Sequence, residues 1–140
     1  NGAASEVETV PHEIVLGNGE RILVVDDEQF IIDFYDDLLT RYGYKTTIFS
    51  SSIDALSHCK ECINSYDLII VDQVMPQMEG SRFAEEIWQY RNSMPIILCS
   101  GFSGALGRRQ FLEKGFAAYI QKPVNGTELL QTIVKTLSKQ

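Results

Sequence analysis

The chain has 140 residues, enough for one domain with its own core and no need of disulfide staples. An apolar fraction of 44% against 22% charged excludes wholesale disorder, and no apolar run approaches the length of a membrane span, about 18 residues. A net charge of −7, with Arg108-Arg109 as the only short basic cluster, makes a poor general binder of nucleic acid, whose phosphates call for grouped Lys and Arg.

Residues 1–20 differ from the rest. Asn1 to Val10 is small, polar and acidic; Pro11 follows, then the apolar patch Ile14-Val15-Leu16, then Gly17-Asn18-Gly19-Glu20. This reads as a linker closed by a Gly-rich turn. Asn1 carries neither an initiator Met nor a leader pattern, so the chain reads as a piece of something longer. The domain proper is expected over residues 21–140.

From Arg21 the pattern alternates. Ile22-Leu23-Val24-Val25, Leu68-Ile69-Ile70-Val71 and Pro95-Ile96-Ile97-Leu98-Cys99 are unbroken apolar runs, the signature of parallel strands buried on both faces. Thr46 to Phe49 and Ala117 to Ile120 are weaker strands. Ile31, Tyr35, Leu38, Leu39 and Tyr42 recur at helical spacing and are expected to face the sheet, with Gly43 as the stop. Ile53 to Ile63, Phe83 to Tyr90, Phe111 to Lys114 and Leu129 to Leu137 add four more helices. Strand then helix, repeated five times, is a doubly wound α/β fold: a parallel sheet with helices on both faces and right-handed crossovers.

In open α/β sheets ligands bind beyond the carboxyl ends of the strands. There the sequence puts Asp26 and Asp27 after the first strand, Asp72 after the third, Ser100 after the fourth and Lys122 after the fifth. One Asp after a strand is ordinarily a helix cap. Four strand ends that all carry a carboxylate, hydroxyl or ammonium are hard to obtain from capping alone. If the strand order brings them together, carboxylates at about 4 Å repel by roughly 4 kcal/mol per pair at an effective dielectric of about 20. That calls for a counter-ion. Hard oxygen ligands suit Mg²⁺, which accepts phosphate oxygens, and a carboxylate can itself become an aspartyl-phosphate.

Val24-Val25-Asp26-Asp27-Glu28, Val71-Asp72-Gln73-Val74-Met75-Pro76, Cys99-Ser100-Gly101 and Tyr119-Ile120-Gln121-Lys122-Pro123 together resemble the signature of response-regulator receiver domains. The resemblance implies a flavodoxin-like five-stranded sheet in the order 2-1-3-4-5 with five helices. It makes Asp72 the phosphoacceptor and Asp26 and Asp27 the acidic pocket, with Asp27, Asp72 and the backbone carbonyl of Val74 holding Mg²⁺. Ser100 becomes the switch hydroxyl, Lys122 the charge partner, and Tyr119 the aromatic that turns inward on phosphorylation. Gln73, Gly101 and Phe102 depart from the commonest residues at their positions. Gly101, Gly104 and Gly107 disfavour a regular fourth helix.

The join from Leu16 to Val25 resembles that found in hybrid sensor histidine kinases. The implied role is a switch in a two-component phosphorelay, fed by a histidine kinase dimerisation domain or a histidine phosphotransfer protein, in the cytoplasm and without direct contact with nucleic acid or membrane. Phe30 and Ile32, flanking the first helix's stripe, are expected to form the docking face, with Pro123 and Val124 at its edge. The competing placement has Phe30 under the loop after the fifth strand. A stand-alone regulator is the alternative context. An Asp-nucleophile phosphatase fits less well, because Asp26 and Asp27 are adjacent where that class spaces its acids Asp-x-Asp. No Gly-x-Gly-x-x-Gly follows the first strand, against a dinucleotide site. Three cysteines without framework spacing suit a reducing compartment. Cys99 reads as core. His58, Cys59 and Cys62 lack the fourth ligand of a structural zinc site.

Overall fold

The computed structural model describes residues 14–101 and 105–140. Residues 1–13 of the expected linker, and Phe102, lie outside the described residues. The described elements run β1 (Arg21–Val25), α1 (Gln29–Arg41), β2 (Lys45–Phe49), α2 (Ser52–Cys62), a 3₁₀ turn (Ile63–Ser65), β3 (Leu68–Asp72), α3 (Gly80–Tyr90), β4 (Ile96–Ser100), α4 (Ala105–Glu113), β5 (Ala118–Gln121) and α5 (Gly126–Ser138).

The five strands form one parallel sheet in the order β2-β1-β3-β4-β5, the flavodoxin-like arrangement. Because side chains alternate across a strand, each apolar run feeds both faces. Ile22, Val24, Leu68, Ile70, Ile97, Cys99 and Ile120 meet Tyr35 and Leu39 of α1 and Leu129, Leu130 and Ile133 of α5. Leu23, Val25, Ile69, Val71, Ile96, Leu98 and Tyr119 meet Ala55, Leu56 and Cys59 of α2 and Phe83, Ala84 and Ile87 of α3. The direction of winding reverses between β1 and β3, whose Val25 and Val71 are paired in register. That reversal opens a crevice at their carboxyl ends, where Asp26, Asp27 and Asp72 follow.

Three details differ from the sequence reading. α4 begins at Ala105, well before Phe111, and carries Gly107 within it. On α1 the fully buried line is Ile32, Tyr35 and Leu39, at spacings of three and four, while Ile31, Leu38 and Tyr42 are half-buried beside it. The 14–20 stretch is tied to the domain. Gly17 N–H donates to the Tyr42 carbonyl (2.7 Å), Gly19 N–H to that of Gly43 (2.8 Å), and Lys45 N–H to that of Glu20 (2.9 Å). Gly43, at φ +97°, lies so close that a Cβ would stand 2.6 Å from the Gly17 oxygen.

Candidate acidic site at the strand ends

Asp26 closes β1 by burial and hydrogen bonding together. It is 1% exposed, its N–H donates to the Phe49 carbonyl (3.2 Å), and its Oδ1 accepts the Glu28 N–H (3.0 Å). Asp72, the last residue of β3, is 5% exposed. Asp27 is exposed beside them, and the three carboxylates offer oxygens within 4.8 Å of one another. Among the described residues this is the group whose side chains could hold a metal ion.

Lys122, one residue past β5, reaches across β4 into this cluster. Its Nζ lies 3.1 Å from Asp72 Oδ1, 3.3 Å from Asp26 Oδ2 and 3.4 Å from Glu28 Oε1. Its own N–H donates to the Ser100 carbonyl (2.8 Å), fixing the start of the side chain against β4. Glu28 escaped the sequence reading, since one more acid in an acidic run carries no separate signal.

Burial, then the neighbouring Asp26 charge, pushes the Asp72 carboxyl up to about 6 in spite of Lys122. Burial also raises Asp26. Burial alone would lower the Lys122 ammonium, but the Asp26 and Asp72 charges hold it above its ordinary range. The chain therefore holds more negative charge in this crevice than one ammonium balances. A divalent cation with open coordination positions fits these oxygen donors.

Behind the acids, the Tyr35 hydroxyl meets the Cys99 thiol at 3.3 Å in full burial. Burial pushes that thiol up to about 12, so Cys99 acts as core. Ser100, at the end of β4, is fully buried. Tyr119 is 3% exposed, its ring stacked on Phe111 of α4 at 5.8 Å and 9° with the Arg108 guanidinium 6.0 Å from its centre. Through Phe111, α4 covers the Tyr119 ring.

Of the expected docking residues, Phe30 stands 84% exposed, so it is not tucked beneath the loop after β5. Ile32 is corrected. It is 8% exposed because it continues the Tyr35–Leu39 line into the core. Pro123 is exposed, Val124 half-buried against the α1–α5 side of the core, and Val74 exposed at the start of the loop after β3. His58 is engaged by the Tyr66 hydroxyl (2.6 Å) and Cys62 Sγ (3.3 Å).

A family model described as the response regulator receiver domain matches residues 22–134. The transcriptional regulatory protein ZraR of Salmonella typhimurium is 31% identical over 117 residues, 84% of this chain and 26% of that protein. The chemotaxis protein CheY of Treponema pallidum is 29% identical over 122 residues, 84% of this chain and 82% of that one. The sensor histidine kinase GacS of Pseudomonas protegens is 27% identical over 130 residues, 89% of this chain and 14% of that kinase. The chain thus spans about a quarter of ZraR's length. A crystal structure of a response regulator receiver domain protein from Clostridium thermocellum superposes with a TM-score of 0.80 at 29% identity, covering 86% of this chain and 95% of that one. Among the described residues no helix is long and apolar enough to cross a membrane.

Proposed function

The chain belongs to the response regulator receiver domains of two-component signalling, and from that premise we propose that it is a phosphorylation switch whose phosphoacceptor is Asp72. The observation that carries this reading is the Lys122 ammonium, 3.1 Å from Asp72 in a crevice where three carboxylates converge within 4.8 Å. The transfer is a displacement at phosphorus. An Asp72 carboxylate oxygen forms the new P–O bond, the P–N bond to a partner's imidazole breaks, and the imidazole nitrogen keeps the bonding pair and takes up a proton. Asp26, Asp27, Asp72 and the Val74 backbone carbonyl would hold Mg²⁺, which supplies neutralisation of charge on the phosphoryl oxygens.

The product adds a charge of about −1.5 to −2 beside Lys122. Its oxygens draw in the Lys122 ammonium and the Ser100 hydroxyl. One charge-assisted hydrogen bond, at about 1.5–3 kcal/mol, moves a two-state equilibrium by about one to two decades. The readout passes through Ser100 to the Tyr119–Phe111 stack on α4. Beyond accepting and losing this phosphoryl group the chain has no turnover of its own.

The donor is a phosphohistidine on a kinase dimerisation domain or a phosphotransfer protein in the cytoplasm. Its helices would cover Phe30, an exposed aromatic on the first turn of α1, with Pro123 and Val124 at the edge. The parent is read as a hybrid histidine kinase, because the likeness to GacS spans 89% of this chain. A stand-alone regulator is the second reading, favoured by the 82% of CheY that is covered.

Incubation with acetyl phosphate, with and without Mg²⁺, followed by intact mass, tests the switch. Gain of one phosphoryl mass only with Mg²⁺, its loss in hydroxylamine, and no gain in Asp72→Asn are expected. Equal labelling of Asp72→Asn contradicts the reading.

A further inference from the structure

Gln73 follows Asp72 directly, yet its buried side chain serves the start of α3. Gly80 N–H donates to the Gln73 carbonyl (3.0 Å), Ser81 N–H donates to Gln73 Oε1 (2.8 Å), and Gln73 Nε2 donates to Ser81 Oγ (3.2 Å). A backbone N–H can only donate, so the amide oxygen must face it and the orientation of the carboxamide is determined. On its other side Gln73 N–H donates to the Cys99 carbonyl of β4 (2.8 Å). Gly80 closes the remaining gap, since a Cβ there would stand 2.5 Å from the Asp72 carbonyl oxygen.

The first N–H groups of a helix have no partner within it. α2 and α5 solve this with their own capping residues, Ser51 accepting from Asp54 N–H and Asn125 from Glu128 N–H. Glu79, at the same position of α3, makes no side-chain cap bond. α3 instead takes its cap from the residue next to Asp72. An apolar residue at 73 would leave the Ser81 N–H without this acceptor. The Val74–Glu79 loop is thereby pinned at both ends, and Val74 is its first residue.

We propose that Gln73 is a positioning residue for the metal-binding loop: by capping α3 through Ser81 it fixes the segment that offers the Val74 carbonyl to Mg²⁺, and so sets the Mg²⁺ affinity. This rests on the metal-site reading above. Groups that orient a metal ligand from behind are worth about 10- to 100-fold in affinity, and a backbone ligand held by a loop falls at the low end.

Titration calorimetry with MgCl₂ and hydrogen exchange of the Ser81 amide test it on the whole chain. Gln73→Met is expected to weaken Mg²⁺ about 10-fold and to speed exchange at Ser81. Ser81→Ala keeps the N–H to Oε1 bond and is expected to hold Mg²⁺ affinity within about twofold, well short of that loss. Should Gln73→Met not fold, Gln73→Asn, a methylene too short to bridge, must weaken Mg²⁺ in the same way. Faster exchange at Ser81 with unchanged Mg²⁺ affinity in the Gln73 variants overturns the proposal, leaving a cap alone. An unaltered chain that takes up no Mg²⁺ overturns the metal site itself, and the role of Gln73 with it.

Discussion

The ammonium of Lys122, just past β5, lies 3.1 Å from the carboxylate of Asp72 on β3, with β4 between the two strands. The same nitrogen is 3.3 Å from Asp26, so one cation serves two buried acids at once. Breaking a buried ion pair leaves an uncompensated charge and costs about 3–5 kcal/mol, less where water reaches the lysine.

Lys122→Met therefore lowers stability by about 2 kcal/mol at pH 7.5 without divalent metal, and by less at pH 5, where Asp72 can be protonated. Urea unfolding at both pH values checks this. An equal loss at both would mean that the lysine acts through packing of its stem.

Asp72 takes up its proton near pH 6 in the folded chain but near about 3.9 when unfolded. Between those values the folded state binds more protons, so this group's contribution to stability rises as pH falls and is most adverse above pH 6. The difference is worth at most about 3 kcal/mol. Asp72→Asn consequently stabilises the metal-free chain at pH 7.5 by about 2 kcal/mol, and the gain shrinks toward pH 4.5. Thermal unfolding in EDTA reads it; destabilisation at pH 7.5 would contradict it.

Most of the sheet was legible because buried parallel strands read as unbroken apolar runs: Leu68 to Val71 could be little else. The converging acids were legible by position, each ending such a run. The stripe of α1 was not. Ile31, Ile32, Leu38 and Leu39 are all apolar, so neighbours 100° apart compete for the inward line, and only packing against the sheet beside Tyr35 selects Ile32. Gly101, Gly104 and Gly107 hid the start of α4. The Gln73–Ser81 bonds bridge eight residues across a loop, a pairing that no periodicity announces.

Phe30→Ala is expected to slow phosphotransfer from a phosphohistidine partner about 10-fold, the size of a modest interface anchor, while leaving labelling by acetyl phosphate unchanged. Stopped-flow transfer with both donors separates the cases. If both rates fall together, Phe30 supports the site rather than the contact. Ile32→Glu is no substitute test, because it places a charge in the core.

Gly43 sits at φ +97° with no room for a Cβ against Gly17. Gly43→Ala costs about 2 kcal/mol through backbone strain and displacement of the 14–20 stretch. Urea unfolding together with exchange of the Gly17 amide checks both effects. A Gly43→Ala chain as stable as the parent, with Gly17 still protected, would mean that the stretch and turn adapt freely.

Everything in the proposed switch depends on Asp72 carrying the phosphoryl group. Borohydride converts an aspartyl phosphate to homoserine, so reduction of the chain after treatment with acetyl phosphate and Mg²⁺, followed by peptide mass mapping, identifies the acceptor directly. Homoserine is expected at position 72 alone. Homoserine at Asp26 or Asp27, or at no aspartate in a chain that has gained the phosphoryl mass, would contradict it.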